Sequence, residues 1–197
     1  MTATDPWRAY LEKSRDKPAN PITTAAAQLN QSGLMQAVDV GCGAGHDSAE
    51  LAALGYSVIA YDASPEVVQF CEQRFADCAN VQVQQGQIET FDYPSTGLIT
   101  AFSSLFFCRP ERFEQAWHNL CSSLQTGGVF VGHFMGPDDD WASGYRLPTC
   151  PLSAERVRAL FDAFDIQSFK EQNGPGSTRM GAVKHWHTFS VLAVKAG

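Results

Sequence analysis

The 197-residue sequence predicts an α/β protein, a doubly wound, mostly parallel seven-stranded sheet with a reversed last strand. Three observations carry that prediction. An apolar run ends in three glycines at alternate positions, Val38-Asp39-Val40-Gly41-Cys42-Gly43-Ala44-Gly45-His46, and the next run, Val58-Ile59-Ala60-Tyr61, ends in Asp62. Apolar runs then alternate with helical patterns, which implies parallel strands with helices on both faces. Near the end only a loop with Asn173-Gly174-Pro175-Gly176 separates two apolar runs, so the last strand must pair antiparallel.

Residues 1–35 read as a helical segment, with Trp7, Tyr10 and Leu11 at helical spacing, a polar break from Ser14 to Pro21, and a second stretch from Ala25 to Leu29. This segment either covers a ligand or is a plain packing element. The main domain, 36–197, begins with strands at 36–41 and 57–62. The helix between them carries Ala49, Leu51, Ala52 and Leu54, and Gly55 stops it. Ser64 caps the next helix, Pro65 starts it, and Val67, Val68, Phe70, Cys71 and Phe75 form its apolar face. Strands follow at 81–85 and 98–102. Pro110 opens a helix with Phe113, Trp117, Leu120 and Leu124 inward, and Gly127-Gly128 turns into a strand at 129–135. A helix at 153–164, capped by Ser153, precedes strands at 165–171 and 186–195.

Composition narrows the function. A net charge of −7 with no basic run argues against a nucleic-acid backbone as partner, because phosphate binding needs clustered cations. The six cysteines show no paired spacing and no C-x-x-C, so reduced thiols are expected. No apolar run approaches the roughly 18 residues that span a bilayer. The first seven residues lack a basic stretch followed by an apolar one, so no signal peptide is expected and a cytoplasmic location follows.

A strand, a glycine-rich turn, a helix, a second strand and a terminal acid describe a nucleotide-type pocket at the open edge of a parallel sheet. The glycines admit a ligand close to the backbone, and Asp62 stands where a carboxylate accepts hydrogen bonds from both ribose hydroxyls. The spacing is G-x-G-x-G, and His46 stands where a dinucleotide fingerprint has its third small residue. No lysine follows the loop, which disfavours a triphosphate. An adenosine without phosphates fits better than NAD.

Read this way, Asp39 to His46 resembles the first motif of the class I S-adenosylmethionine-dependent methyltransferases, and Tyr61-Asp62-Ala63-Ser64-Pro65 resembles the second. Their fold is Rossmann-like, with the reversed last strand deduced above. The resemblance implies a cofactor site of Asp39, Gly41, Cys42, Gly43, Gly45, Asp62, Ala63, Ser64, Gln87, Ile88, Ser103 and Leu105. Gln87 stands where the family often has Asp, and its amide oxygen can accept the same adenine hydrogen bond while Ile88 flanks the ring. Members acting on DNA or amide nitrogen carry Asn/Asp-Pro-Pro-Tyr/Phe after strand four. Here Ser103-Ser104-Leu105-Phe106 replaces it, which disfavours nucleic-acid bases and glutamine amides. The stretches from Leu105 to Phe113, from Gly132 to Trp141 and from His187 to Lys195 are similar to small bacterial tellurite-resistance and thiopurine methyltransferases.

The resemblance therefore implies methyl transfer to a small-molecule acceptor, with S-adenosylhomocysteine as product. A non-catalytic binder of the same ligand is the alternative. Topology places Phe107, His133, Asp140 and Trp141 on the acceptor side, with His185 and His187 as base or orienting donors. Against those roles, His185 and His187 read equally as half-exposed strand positions. Cys42 reads as a packing residue, and Asp138-Asp139-Asp140 as a solvated loop. No resident metal is expected, since the histidine pair lacks further ligands at suitable spacing.

Overall fold

The computed structural model describes residues 6–14, 16–145, 148–178 and 180–197. Residues 1–5, part of the stretch read for a leader, and the ring of Trp7 lie outside that description. Two helices, α1 (Pro6–Ser14) and α2 (Pro21–Leu29), precede the sheet. Then follow β1 (Gln36–Val40), α3 (His46–Ala53), β2 (Ser57–Asp62), α4 (Pro65–Arg74), β3 (Val81–Gln85) and β4 (Thr96–Ala101). A 3-10 turn (Leu105–Phe107) leads to α5 (Pro110–Ser123), β5 (Leu124–Met135) and the short α6 (Trp141–Gly144). The chain closes with α7 (Ala154–Ala159), β6 (Phe164–Ser177) and β7 (Val183–Lys195).

The strands form a seven-stranded sheet in the order β3-β2-β1-β4-β5-β7-β6. The pairs among the first five strands are parallel, and β7 runs antiparallel to both β5 and β6. The chain reverses direction across the sheet between β1 and β4, which places a crevice at the carboxyl ends of those strands. Among the described residues, no helix is long and apolar enough to cross a membrane.

Side chains alternate between the two faces and seed two cores. On one face, Trp117 of α5 meets Phe130, Phe134 and Phe161 edge-on, and its indole N–H donates to the Leu160 carbonyl at 3.2 Å. On the other face, Ala26 of α2 and Leu51 of α3 pack on Val58, Leu98 and Val131. A third cluster joins Leu11 of α1 to Cys42, Ala44, Val67, Cys71 and Phe75, directly behind the glycine loop. The predicted caps form: the Ser64 hydroxyl accepts from the Val67 N–H at 3.4 Å, and the Ser153 hydroxyl from the Arg156 N–H at 3.2 Å. All six cysteines are free thiols.

Several boundaries differ from the sequence reading. Strand β5 starts earlier, at Leu124, and α7 is shorter than 153–164. The largest difference is Asn173-Gly174-Pro175-Gly176, which is strand rather than loop and pairs with His187, Trp186, His185 and Lys184. Strand β6 lies at the sheet edge, where a proline without an N–H is tolerated. Gly176 makes room for a ring, since a Cβ there would stand 2.8 Å from Trp186 Cδ1. The turn itself lies further out, where the Thr178 N–H donates to the Ala182 carbonyl at 2.7 Å.

The acidic run after β5 is also not uniformly solvated. Asp139 is buried, and its carboxylate accepts from the Lys184 ammonium, the Trp141 N–H at 2.9 Å and the His187 N–H at 3.0 Å. The Lys184 ammonium also lies over Trp186, 3.9 Å from the ring centroid, and over Trp141 at 4.5 Å. One ion pair thus fastens the loop after β5 to the extended β6–β7 hairpin. Replacing Lys184 with Met leaves a buried carboxylate without its countercharge and is expected to cost about 3 kcal/mol. Urea unfolding of the variant checks this, and a loss below about 1 kcal/mol would show that the pair is not what fastens the hairpin.

Candidate functional site

The crevice is built on backbone conformations that only glycine adopts readily. Gly41, Gly43 and Gly45 have φ of 64°, 53° and 74°. Two of them are also closely approached: a Cβ on Gly41 would stand 2.5 Å from Ser104 Cβ, and one on Gly45 2.7 Å from the Phe75 ring. Asp62, at the end of β2, reaches across to this loop. Its Oδ2 accepts from the Gly43 N–H at 3.2 Å, and its Oδ1 from the Ser64 N–H at 3.0 Å. Burial raises its carboxyl above the usual range, opposed by the N–H donors of Ser64, Gly43 and Ala63.

Asp39 lies beneath the loop on β1. Its carboxylate accepts from the Ser48 hydroxyl at 2.5 Å and from the Thr100 hydroxyl at 2.8 Å. Burial, reinforced by the nearby Asp47 carboxylate, pushes its pKa up to about 7. A cavity of about 60 Å³ opens above it, lined by Tyr10, Asp39, Gly41, Gly43, His46 and Phe102. Tyr10 of α1 forms one wall of that cavity. His46, anomalous for a dinucleotide loop, uses Nε2 to bond the Ser14 carbonyl and ties the end of α1 to the start of α3. Asp47 binds the start of α2, accepting from the Asn20 N–H at 2.9 Å and from the Thr23 hydroxyl.

The other expected cofactor residues divide by environment. Ala63 and Gln87 are exposed, and Ile88 packs on the core edge. Leu105 is buried, its side chain among the core residues rather than free in the crevice. Cys42 packs as anticipated, its Sγ 4.0 Å from Cys71 Sγ, while the Cys71 thiol donates to the Gly43 carbonyl at 3.2 Å. Ser103 follows β4 with φ 57°, the one described non-glycine residue at positive φ. Its hydroxyl lies 3.3 Å from His133 Nδ1.

On the side expected to face an acceptor, Phe107, Trp141, Tyr145 and Trp186 form one run of half-buried rings. Phe107 lies 5.3 Å from Tyr145, Tyr145 4.8 Å from Trp141, and Trp141 5.2 Å from Trp186. Asp140 accepts from the His185 N–H at 2.7 Å, a loop-to-hairpin contact. His185 Nε2 bonds the Asn173 side-chain carbonyl. His187 is buried and has both ring nitrogens engaged: Nδ1 accepts from the Asp138 N–H at 3.1 Å, and Nε2 meets Glu171 Oε1 at 3.0 Å. Both histidines expected to face an acceptor are therefore tied into the hairpin.

Tyr10, Tyr145, Lys184 and Asp139 belong to this edge. The sequence marked Tyr10 only as a helical position and Asp139 only as part of a solvated run, and it did not single out Tyr145 or Lys184, whose placement depends on tertiary partners. A larger cleft, about 520 Å³, lies by the amino ends of β4 and β5 and is lined by Tyr93, Ser95, His118 and Ser122. It contains none of the expected site residues.

Residues 37–128 match the family described as a methyltransferase domain. Over 161 residues the chain is 27% identical to the glycine N-methyltransferase of Oryctolagus cuniculus, a match covering 72% of this chain and 55% of the relative. The chain spans about half the length of the curated relatives it matches. The crystal structure of TehB from Haemophilus influenzae superposes with a TM-score of 0.76 at 18% identity, over 96% of this chain and 67% of that one. The N-methyltransferase NodS from Bradyrhizobium japonicum, solved with S-adenosyl-l-homocysteine, gives 0.66 at 17% identity, over 98% and 100%. The fold is that of the class I methyltransferases, as expected from the reversed last strand.

Asp39 yields a pH prediction. Its carboxyl binds a proton more tightly in the folded chain than in the unfolded one, so its contribution to stability is fullest at low pH. That contribution declines as pH rises from about 4 to about 7, with a slope approaching 1.4 kcal/mol per unit. Asp39→Asn removes the titration, with the amide oxygen accepting from one hydroxyl and the amide N–H donating to the other. Chemical unfolding from pH 4 to 8 is expected to show a flatter profile for the variant than for the native chain. Parallel profiles would contradict it.

Proposed function

We propose that this chain, a class I methyltransferase by its domain and its fold, binds S-adenosylmethionine and transfers its methyl group to a small-molecule acceptor. The observation that carries the reading is the buried Asp62 carboxylate, held by the Gly43 and Ser64 N–H groups beside three positive-φ glycines. That arrangement presents a ribose-diol acceptor and a close backbone approach, with no lysine to hold phosphates. In this reading Gln87 and Ile88 flank the adenine, the glycine loop carries the amino-acid end, and Ser103 closes the site towards the acceptor. Asp39 faces the cationic portion of the ligand, which favours its ionised form.

Helix α1 acts as the cover. The cavity over the glycine loop holds about two water molecules at its present size, so ligand entry requires Tyr10 and the end of α1 to move aside. Transfer from a sulfonium is an in-line displacement in which the leaving group is already charged. The protein's task is then to align the nucleophile and exclude water. The aromatic run from Phe107 to Trp186 supplies a dry wall for that purpose. A net charge of −7 and the absence of a basic run support a small acceptor over a nucleic acid. The similarity to glycine N-methyltransferase supports the same class of acceptor.

Calorimetric titration with S-adenosylhomocysteine tests this. The native chain is expected to bind it, and Asp62→Ala to lose about 2–3 kcal/mol, roughly a hundredfold in affinity. Equal affinity of variant and native chain, or tighter binding of NAD than of S-adenosylhomocysteine, would overturn the reading.

A further inference from the structure

We infer that His133, held by Ser103, is the side chain that orients the methyl acceptor, and that the acceptor is an uncharged amine whose N–H donates to His133 Nε2. The inference rests on the proposed methyl transfer and names the partner of that same site. Among the chain's five histidines, the other candidates are committed elsewhere. His46 Nε2 bonds the Ser14 carbonyl, His185 stands out on the β6–β7 hairpin with Nε2 in an exposed bond to Asn173, and both nitrogens of His187 are taken. His118 lies on α5 at the opposite edge of the sheet, where it lines the larger cleft. His133 has one nitrogen, Nδ1, against the Ser103 hydroxyl at 3.3 Å, and among the described residues Nε2 has no partner.

The local backbone supports the assignment. Ser103, just after β4, adopts a left-handed conformation costly for a residue with a Cβ, and such strain persists where the surroundings impose it. The conformation sets the hydroxyl beside His133 on the neighbouring strand, while the Phe102 ring meets the imidazole edge-on at 5.0 Å. The imidazole is thus fixed on two sides and half-buried at the carboxyl edge of β5. In the tautomer with the proton on Nδ1, that N–H donates to Ser103 Oγ and the Nε2 lone pair is left to accept.

A ring held by Ser103 with Nε2 without a partner among the described residues fits an uncharged acceptor that donates a hydrogen bond. Burial pushes the His133 pKa down to about 4, so the ring is neutral across the physiological range and offers no cation to a thiolate or oxyanion. The Lys184 ammonium does not replace it, being buried against Asp139. A neutral amine suits a neutral ring: one N–H is held by Nε2, and the nitrogen lone pair is aimed at the methyl carbon. The nitrogen–carbon bond forms as the carbon–sulfur bond breaks, with its electron pair passing to sulfur to give the thioether. The product ammonium then releases its proton to water. His133 holds the N–H without taking the proton, so it acts as an acceptor-binding group rather than a base.

The test supplies S-adenosylmethionine with aniline, benzylamine, 2-mercaptoethanol or tellurite and follows S-adenosylhomocysteine formation. Turnover is expected with an amine. His133→Phe is expected to raise the amine KM about tenfold or more with S-adenosylhomocysteine affinity unchanged, the loss of one oriented hydrogen bond. His133→Gln, whose amide oxygen accepts the same bond, is expected to recover most of that loss. Turnover confined to the thiol or tellurite, native kinetics in His133→Phe, or no rescue by His133→Gln would overturn the inference. So would binding of S-adenosylhomocysteine without turnover of any probe, which leaves the cofactor reading standing. Failure to bind S-adenosylhomocysteine would instead remove the cofactor reading itself.

Discussion

At the carboxyl edge of the sheet, two loops from adjacent parallel strands converge on one buried carboxylate. Asp62 accepts an N–H from the glycine loop after β1 and another from the turn that opens α4. Neither loop has regular secondary structure to satisfy those donors, so the carboxylate does it for both. The parallel register of β1 and β2, which pairs Val40 with Tyr61, brings Asp62 to that height. The glycines then become necessary, because Gly41 and Gly45 thread between this edge and the side chains of Ser104 and Phe75. The shape of the crevice follows from where one acid lies along one strand.

Much of this was legible in the sequence because the information is local. The two apolar runs, the alternate glycines and the Ser64-Pro65 cap each encode their own geometry within a few residues. The reversed last strand was legible from the missing helix before it. Asn173 to Gly176 was misread for the opposite reason. Glycine and proline favour turns locally, but the strand partners of this stretch include Trp186, whose ring fills the space over Gly176. Edge position and a distant aromatic residue override the local preference, and neither is visible in a short window of sequence.

The acceptor side was less legible because its determinants are long-range. Asp139 resembles its two acidic neighbours in sequence, yet it is the one buried, and its cation lies 45 residues away. His185 and His187 stand at the expected edge, but contacts with Asn173, Asp138 and Glu171 incorporate them into the hairpin. His133 of β5 and Ser103 of the turn after β4 become a pair only when β4 and β5 align. A sequence names the residues along an edge; the partners that free or engage each one come from the fold.

These features give the proposed site two halves held by different means. The donor half is fixed by backbone and carboxylate, whereas the acceptor half is fixed by a buried ion pair, a run of aromatic rings and a strained serine. Helix α1 packs behind the glycine loop through Leu11, and the His46–Ser14 contact ties its end to the start of α3. A crystal structure of the chain with S-adenosylhomocysteine tests the central claim most directly. The account predicts both ribose hydroxyls on the Asp62 carboxylate, the ligand backbone against Gly41 to Gly45, and its sulfur facing His133. Ligand density elsewhere, for example in the cleft between Tyr93 and His118, or a ribose that leaves Asp62 without contact, would contradict it.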